Sequence, residues 1–592
     1  MPTQAATLAQ VFHQQAQKYG DRVYLKDKRD KRWHDHSWSE VAGAAARLRA
    51  GLIQLGVRPG DRVAILADNC PQWVIADQAA LGAGAIVVPL YTTSNVEEIG
   101  QILLDSGARI VAARGDENVK KIVKLAPQLK ELESVIAIHP GASYGADGSL
   151  IPIRTLESVS GGEPAGVFEG TADDLATIIY TSGTSGPPKG VMLSHGNLIA
   201  NCLGNIKALD LNEQDLTLSF LPMAHSFERT AGYYTVMMAG GSNAYAEGLG
   251  QIADNLRETQ PTVVLTVPRL LEVVHERIMR TIEAAPAMRQ RLFAAALAVG
   301  KRAAFYRHRG RATPPHLAAA MALFRRIVFA RIRSVFGERI RYLISGGAPL
   351  PTEIFEFLSA AEVPITEGYG LTEASPVVSC NLHGRTRIGT VGPPLYNVTV
   401  KAADDGELLI HGPSVMKGYY KRDDETREAI DPEGWLHTGD IVSIDSEGYI
   451  AIKDRKKEII VLSGGKNVSP ANVEAKLVAD PYISQACVVG NRRKHLAALL
   501  VPNFETLAQY AKQQGIDAPH EKLVEDASIR SFYQQRLREV NKNLSTVDAV
   551  VAFRLLARPF SQDNGELTPT LKVRRRIVEQ HYRDDIESLY GR

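Results

Sequence analysis

The eleven residues Tyr180-Thr181-Ser182-Gly183-Thr184-Ser185-Gly186-Pro187-Pro188-Lys189-Gly190 hold three glycines, four Ser or Thr hydroxyls and one lysine. That inventory suits a phosphate cradle. Glycines let backbone N–H groups approach an anion, hydroxyls donate further hydrogen bonds, and the lysine supplies countercharge. The segment is not a Walker A loop, which needs Gly-Lys followed by Ser or Thr, because Lys189 stands between Pro188 and Gly190. A flexible surface turn is the competing reading. It accounts poorly for the apolar strand Leu175–Ile179 directly before the loop and for its Pro-Pro-Lys-Gly end.

Such a cradle works only where secondary structure holds it. A second apolar run follows Gly190, with a helix after Ser194. Upstream, Val63–Leu66, Ala85–Leu90 and Arg109–Ala113 read as strands alternating with helices at Gln72–Leu81 and Val96–Leu104. The alternation recurs at Val263–Val267 and at Tyr342–Ile344, the latter followed by a Gly-Gly turn and another helix. The pattern predicts an α/β fold, with a large N-terminal domain of helix-covered parallel sheets. Beyond residue 395 the texture changes to short strands and turns, at Glu407–His411, Ile441–Ile444 and Tyr449–Ile452, consistent with a β-subdomain. The charged run Asp454-Arg455-Lys456-Lys457-Glu458 then precedes a new apolar segment, Ile459–Leu462, and marks a boundary. The expected organisation is a large domain over 1–453, a hinge over 454–457 and a small α+β C-terminal domain over 458–592.

With 592 residues the chain is too long for one hydrophobic core. Its 68 Lys and Arg nearly cancel 66 Asp and Glu, so no global charge draws it to nucleic acid. Cys70, Cys202, Cys380 and Cys487 lie far apart, with no CxxC pair and no clustered histidines. Neither a disulfide framework nor a structural zinc site is expected, only core thiols in a reducing compartment. The N-terminus lacks the basic start and apolar run of a signal peptide. The apolar stretch Ala79–Leu90 is broken by Gly82 and Gly84 and is too short to span a bilayer. A cytoplasmic protein is expected. Residues 269–341 stand apart, with sixteen Arg or Lys against four Glu and a formal balance of +12. Leu317, Met321, Phe324, Val328 and Ile332 recur there at helical spacing. One reading is solvated amphipathic helices. The other is a surface set against anionic headgroups on the cytoplasmic membrane face.

Six motifs, ordered from residue 180 to residue 572, together resemble the adenylate-forming superfamily of acyl-CoA synthetases, luciferases and peptide-synthetase adenylation domains. After the loop come Gly368-Tyr369-Gly370-Leu371-Thr372-Glu373, Gly434-Trp435-Leu436-His437-Thr438-Gly439-Asp440 and the charged run 454–458. Gly464-Gly465-Lys466-Asn467-Val468-Ser469-Pro470 and Asn564-Gly565-Glu566-Leu567-Thr568-Pro569-Thr570-Leu571-Lys572 complete the set. The resemblance implies that a carboxylate attacks the α-phosphorus of ATP, giving an acyl-adenylate and pyrophosphate. It assigns the β- and γ-phosphates to Thr181, Ser182, Gly183, Thr184, Ser185, Gly186 and Lys189, and Mg²⁺ to Thr184 and Glu373. Thr372 would bond the α-phosphate, and Asp440 the ribose hydroxyls. Gly347-Ala348-Pro349 with Glu367-Gly368-Tyr369 would form the adenine slot, and Arg455 would contact ribose or phosphate.

The same resemblance places His225, in Leu221-Pro222-Met223-Ala224-His225-Ser226-Phe227-Glu228, beside the acyl carboxylate. It makes Lys572 the catalytic cation of the first step, bridging carboxylate and α-phosphate as charge builds between them. Lys457 matches the hinge of a mobile C-terminal domain, and Gly464 and Gly465 would approach the pantetheine of coenzyme A. Two positions depart from the family pattern. Asn472 stands where many members carry Glu, and Leu462 where a small hydroxyl residue is common.

The span Gly434–Lys457, the Ser463–Asn467 loop and the Leu-Thr-Pro-Thr-Leu-Lys end resemble long-chain acyl-CoA synthetases most closely. The implied reaction joins a long-chain fatty acid to coenzyme A with ATP and Mg²⁺. Each buried methylene contributes roughly 0.8 kcal/mol, so a lined tunnel can discriminate chain length. An acyl-AMP ligase that loads a carrier protein, an aryl-acid or bile-acid ligase, and a non-catalytic acyl- or nucleotide-binding protein are the alternatives. Intact Lys189, Glu373, Asp440, Arg455 and Lys572 weigh against the last of these. The expected partners are fatty acid and coenzyme A, with no nucleic acid; a homodimer is left open.

Overall fold

The computed structural model of the protein describes residues 6–139, 151–181, 188–382, 384–456, 458–568 and 572–591. Two eight-stranded sheets carry most of the chain. The first runs in the order Gly418–Tyr419, Lys189–Ser194, Leu175–Thr181, Ile86–Leu90, Arg62–Leu66, Ile110–Ala113, Ser134–Ala137, Ile153–Thr155. The second runs Val377–Cys380, Ile365–Gly370, Tyr342–Ser345, Val263–Thr266, Leu216–Ser219, Ser242–Tyr245, Val23–Arg29, Arg32–Ser37.

Their interiors are parallel, as the strand–helix alternation predicts, but one flank of the first sheet and both flanks of the second are antiparallel. Three of those four antiparallel pairings join strands that follow one another along the chain. A short connection reverses direction, whereas a parallel pair needs a long crossover. Both faces of the interior strands are buried. Val63 and Ile65 enter one core while Ala64 and Leu66 enter another, and Val263 and Leu265 likewise oppose Val264. That double burial is why these strands read as unbroken apolar runs.

Helices form three layers around the two sheets. Leu8–Tyr19, Trp38–Gln54, Pro71–Gly82 and His195–Leu209 fill the space between them. Val96–Ser106 and Asp116–Leu125 cover the outer face of the first sheet. Ile252–Thr259, Thr352–Ala360 and the basic helices, beginning with Pro268–Glu283 and Ala287–His308, cover the second. A four-stranded antiparallel sheet follows, Thr399–Ala402, Glu407–His411, Leu436–Ile444 and Ile450–Arg455, where the sequence suggested a β-subdomain. Beyond it lie a short pair, Ile460–Val461 with Asn467–Val468, and a three-stranded sheet, Ile483–Val489, Leu496–Pro502 and Val550–Leu555. The three-stranded sheet packs with helices such as Pro470–Val478 and Ala527–Asn541 around a core of its own.

All four cysteines are buried and unpaired, and burial pushes the Cys70 thiol up to about 11 and Cys202 up to about 12. Thiols held protonated in this way behave as small apolar groups. Among the described residues no helix is long and apolar enough to cross a membrane.

The helix Pro71–Gly82 lies in the middle layer and carries an ion pair into it. Asp77 accepts from the Arg229 guanidinium at 2.5 Å, with side-chain exposures of 0% and 1%. Tyr234 donates to the same carboxylate at 2.9 Å, Tyr233 at 3.2 Å, and Arg229 donates to Thr177 Oγ1 at 2.7 Å. Arg229 and both tyrosines belong to a π-helical stretch, Phe227–Tyr234, which begins two residues after His225. The pair therefore joins the first sheet, the central helix and the segment that carries His225. Asp77→Ala would leave a guanidinium uncompensated in a dry interior and is expected to cost about 3–5 kcal/mol. Calorimetry should show a melting temperature several degrees lower, partly restored when Arg229→Met is added.

Candidate active site

Parallel strands deliver four of the motif segments at their carboxyl ends, the region where open α/β sheets bind ligands. Thr181 ends Leu175–Thr181, and Gly347-Ala348-Pro349 follow Tyr342–Ser345. The His225 segment follows Leu216–Ser219, and Gly368 to Glu373 run off the end of Ile365–Gly370. At that last turn the backbone folds back so tightly that a Cβ on Gly370 would fall 1.9 Å from the Pro376 carbonyl oxygen, so only glycine fits. Ser182, Gly183, Thr184, Ser185 and Gly186 lie outside the described residues, as does Lys457.

Asp440 is the point where several segments meet. It sits on Leu436–Ile444 with a side chain only 4% exposed. Tyr369 donates its hydroxyl to Oδ2 at 2.5 Å, and Arg455 donates Nε to Oδ1 at 3.1 Å. A carboxylate offers about four lone-pair sites, so two bonds leave capacity for a diol. The turn before it is fixed by Glu407, a buried residue that the sequence did not single out. Glu407 accepts from the Gly439 amide at 2.8 Å and from Lys456 at 3.0 Å, with Gly439 at φ +71°. Burial pushes Glu407 upward, but the Lys456 ammonium and the Gly439 amide outweigh it and hold its carboxyl below the usual range.

Lys572 faces this cluster from the C-terminal domain. Removal from water and the nearby Arg455 guanidinium lower its ammonium to about 8, while Glu458 and Asp440 act in the opposite direction. The residue nevertheless remains exposed, so water screens part of that effect. Lys572 and a near neighbour are both tied down. The Lys572 amide donates to Thr568 Oγ1 at 3.0 Å, and Arg574 reaches Glu98 at 2.8 Å, on the helix Val96–Ser106 of the large domain.

His225 is near enough to Lys572 for the two charges to interact. Burial, then the Lys572 charge, lowers the imidazole to about 4, which leaves it neutral at physiological pH. Its Nδ1 accepts from the Phe227 amide at 3.1 Å, which places the ring proton on Nε2, aimed away from that backbone contact. The adjacent Ser226 shares a hydrogen bond with Thr372 at 3.0 Å, so the motif that carries His225 and the one that carries Glu373 touch.

On the other flank, Lys189 forms an ion pair with Glu425 and stands 5.0 Å from the centre of the Tyr419 ring. The Tyr419 hydroxyl donates to Glu373 Oε1 at 2.9 Å. No sequence signal marked Tyr419 or Glu425. They arrive because Gly418–Tyr419 pairs antiparallel with Val191–Met192, in the strand that Lys189 opens. The remaining assigned residues are more loosely tied. Gly347, Ala348 and Pro349 are exposed, and the next residue, Leu350, donates its amide to Glu367 Oε1 at 3.3 Å. Burial raises Glu367 to about 7. Gly368 pairs with Cys380 in the sheet. Gly464 and Gly465 form the exposed turn of the Ile460–Val468 hairpin, and no hydrogen bond or ion pair among the described residues draws them into the Asp440 cluster. Of the two departures from the family pattern, Asn472 reaches the Lys453 carbonyl at 3.3 Å and Leu462 is packed into the C-terminal core.

The profile of the AMP-binding enzyme family matches residues 12–420, and that of the AMP-binding enzyme C-terminal domain matches residues 457–592. The chain belongs to this family of adenylate-forming enzymes. It is 34% identical over 584 residues to the long-chain-fatty-acid–CoA ligase FadD15 of Mycobacterium bovis, spanning 97% of this chain and 95% of that protein. Identity to the long-chain-fatty-acid–CoA ligase ACSBG2 of Xenopus laevis is 29% over 627 residues, spanning 99% and 84%. The adenylation domain of a carboxylate reductase from Mycobacterium chelonae matches with a TM-score of 0.78 at 24% identity, covering 100% of this chain and 92% of that one. The anthranilate CoA ligase AuaEII matches at 0.74 and 19%, covering 98% of each chain. These two structures establish the fold.

Lys572 carries its charge below about pH 8 and loses it as pH rises through that value. If the ammonium is needed for chemistry, single-turnover formation of the acyl-adenylate should fall tenfold per pH unit above that point. Lys572→Arg, whose guanidinium keeps its proton, should remove this alkaline limb while lowering the plateau.

Proposed function

We propose that the protein is an ATP-dependent long-chain fatty-acid–CoA ligase. The observation that supports this most directly is the convergence of Lys572, Arg455 and Asp440 with His225 in a chain similar along nearly its whole length to long-chain-fatty-acid–CoA ligases. A binding protein gains nothing from an ammonium aimed from a second domain at the point where two anions must meet.

In this reading the fatty-acid carboxylate lies beside His225, whose neutral imidazole accepts it without stranding a cation. Asp440 takes the ribose hydroxyls with the capacity left beside Tyr369 and Arg455, and Thr372 bonds the α-phosphate. Lys189 offsets the β- and γ-phosphates, together with Thr181 and the loop 182–186. Lys572 neutralises the charge that builds between carboxylate and α-phosphorus, the role in which fixed cations lower barriers most. A thiol then displaces AMP from the acyl-adenylate, with Gly464 and Gly465 beside the pantetheine. The domains divide at 1–453 and 458–592, with 454–457 as the hinge about Lys457.

The residues present suit Mg²⁺. No cluster of three or more His, Cys, Asp or Glu side chains occurs among the described residues, which excludes an all-protein cage there. Glu373 offers one half-buried carboxylate, joined to Tyr419 whose ring faces Lys189, the arrangement of an ion held by one or two protein oxygens plus substrate phosphates. Glu373 and Thr184 would hold it, and when bound it supplies positive charge to the phosphate oxygens.

The basic helices support peripheral contact with a membrane. Six of their sixteen cations form ion pairs, which favours ordinary solvated helices for that part. The same helices nevertheless expose Met288 (82%), Leu292, Phe305, Leu323 and Ile327 among arginines, the combination that anionic lipid surfaces favour. The protein should pellet with phosphatidylserine vesicles at low salt and be released at high salt. Binding absent at low salt would leave only the solvated reading.

With ATP, Mg²⁺ and palmitate, the protein should release pyrophosphate and, once coenzyme A is added, yield palmitoyl-CoA and AMP. Lys572→Ala should slow adenylate formation by about three orders of magnitude while largely sparing thioester formation from supplied palmitoyl-AMP. Equal loss of both half-reactions would remove Lys572 from its role. An adenylate that ignores coenzyme A would point to a carrier-protein acceptor, and AMP released only from an aromatic acid would move the substrate.

A further inference from the structure

The surroundings of Lys189 hold more than its assigned role requires. Its ammonium is paired with Glu425, and each side chain is about one-third exposed, at 34% and 35%. Glu425 lies in the short helix Asp423–Ala429, which is fastened to the sheet by Thr426, whose hydroxyl accepts from the Tyr419 amide at 2.9 Å. The carboxylate is thus held beside the lysine by a fixed frame.

Glu425 also has a second cation within reach. Arg422 Nε lies 4.0 Å from Glu425 Oε1, and the same guanidinium is steadied by Asp105 at 3.2 Å, which in turn accepts from Tyr180 at 2.7 Å. The carboxylate thus already lies between the two cations, with Oε2 toward Lys189 and Oε1 toward Arg422. Polyphosphate approaching Lys189 meets a carboxylate already there. Two anions sharing one ammonium repel each other, so one must leave, and Arg422 gives the carboxylate a place to go.

Resting on the reading of Lys189 as a phosphate ligand, we propose that Glu425 is a displaceable counter-anion that sets the enzyme's affinity for triphosphate and pyrophosphate. It holds Lys189 until the β- and γ-phosphates take it over, and it reclaims the lysine as pyrophosphate departs. Triphosphate binds less tightly than an uncontested lysine would allow, and pyrophosphate leaves more readily. AMP has no β- or γ-phosphate and is indifferent to the exchange.

The full-length protein, titrated calorimetrically with MgATP, magnesium pyrophosphate and AMP, tests this. Glu425→Gln should lower the dissociation constants of MgATP and pyrophosphate by about fivefold, the range of a partly exposed ion pair, with AMP unchanged. Pyrophosphate should inhibit the variant more strongly by the same factor. Glu425→Ala, which removes the charge without adding an amide, should shift both in the same direction. Unchanged or weaker binding of MgATP and pyrophosphate by both variants would overturn the proposal, since Glu425 would then be orienting Lys189 or doing nothing. Lys189→Ala separates the two levels. If it leaves MgATP binding at the wild-type value, the assignment of Lys189 itself falls; if it weakens MgATP while both Glu425 variants behave as wild type, only the exchange falls.

Discussion

A carboxylate and a polyphosphate do not approach each other in water without help, and under the proposed function it is this repulsion that the gathered cations of the protein would offset. Positive groups come to the candidate site from separate elements: Lys189 from the start of a strand in the first sheet, Arg455 from the end of the four-stranded sheet, Lys572 from the C-terminal domain. Each has a carboxylate near it, Glu425 for Lys189, Asp440 for Arg455, and Glu458 and Asp440 for Lys572. Free cations packed this closely would repel one another and lose protons, which is the direction in which Arg455 moves Lys572. The acidic partners let the cations be gathered in advance. Preorganised charge of this sort need not be rearranged during reaction, and that is where its catalytic value lies.

Asp440 shows how little of the large domain has to be exact for this to work. Its carboxylate joins Tyr369 from the second sheet to Arg455 from the four-stranded sheet, and Glu407 fixes the turn that presents it. The helices farther away mainly supply buried area. The His225 segment is braced differently, through the π-helical turn and the buried Arg229–Asp77 pair, and it meets the segment of Tyr369 at the Ser226–Thr372 hydrogen bond.

Local sequence was a good guide wherever one segment carried the whole signal. Strands buried on both faces, such as Val63–Leu66 and Val263–Val267, read as apolar runs and appear within a residue or so of their expected ends. The ordered motifs placed Asp440, Tyr369, Arg455 and Lys572 on separate segments, and the fold brings those four together. What stayed hidden were residues whose role depends on pairing across the chain. Tyr419 and Glu425 lie more than two hundred residues from Lys189 and reach it only through an antiparallel strand pair, and Glu98 meets Arg574 from the opposite end of the chain. The antiparallel flanks of the sheets were hidden for a related reason: apolar runs look alike in either direction. Tyr369, expected in the adenine slot, also donates its hydroxyl to Asp440, a bond that no spacing could disclose.

The middle layer of helices has a consequence for synthesis of the chain. Leu8 donates its amide to His195, Gln15 reaches the carbonyl of Met238, and Asp77 awaits Arg229. The first three helices of that layer can settle on the first sheet early, but the partners of their far side are not complete until about residue 240 has left the ribosome. At bacterial or eukaryotic elongation speeds that interval is on the order of ten seconds or more. Through it, a broad apolar surface and an unpaired aspartate are held in the open, within reach of any chaperone that binds nascent chains.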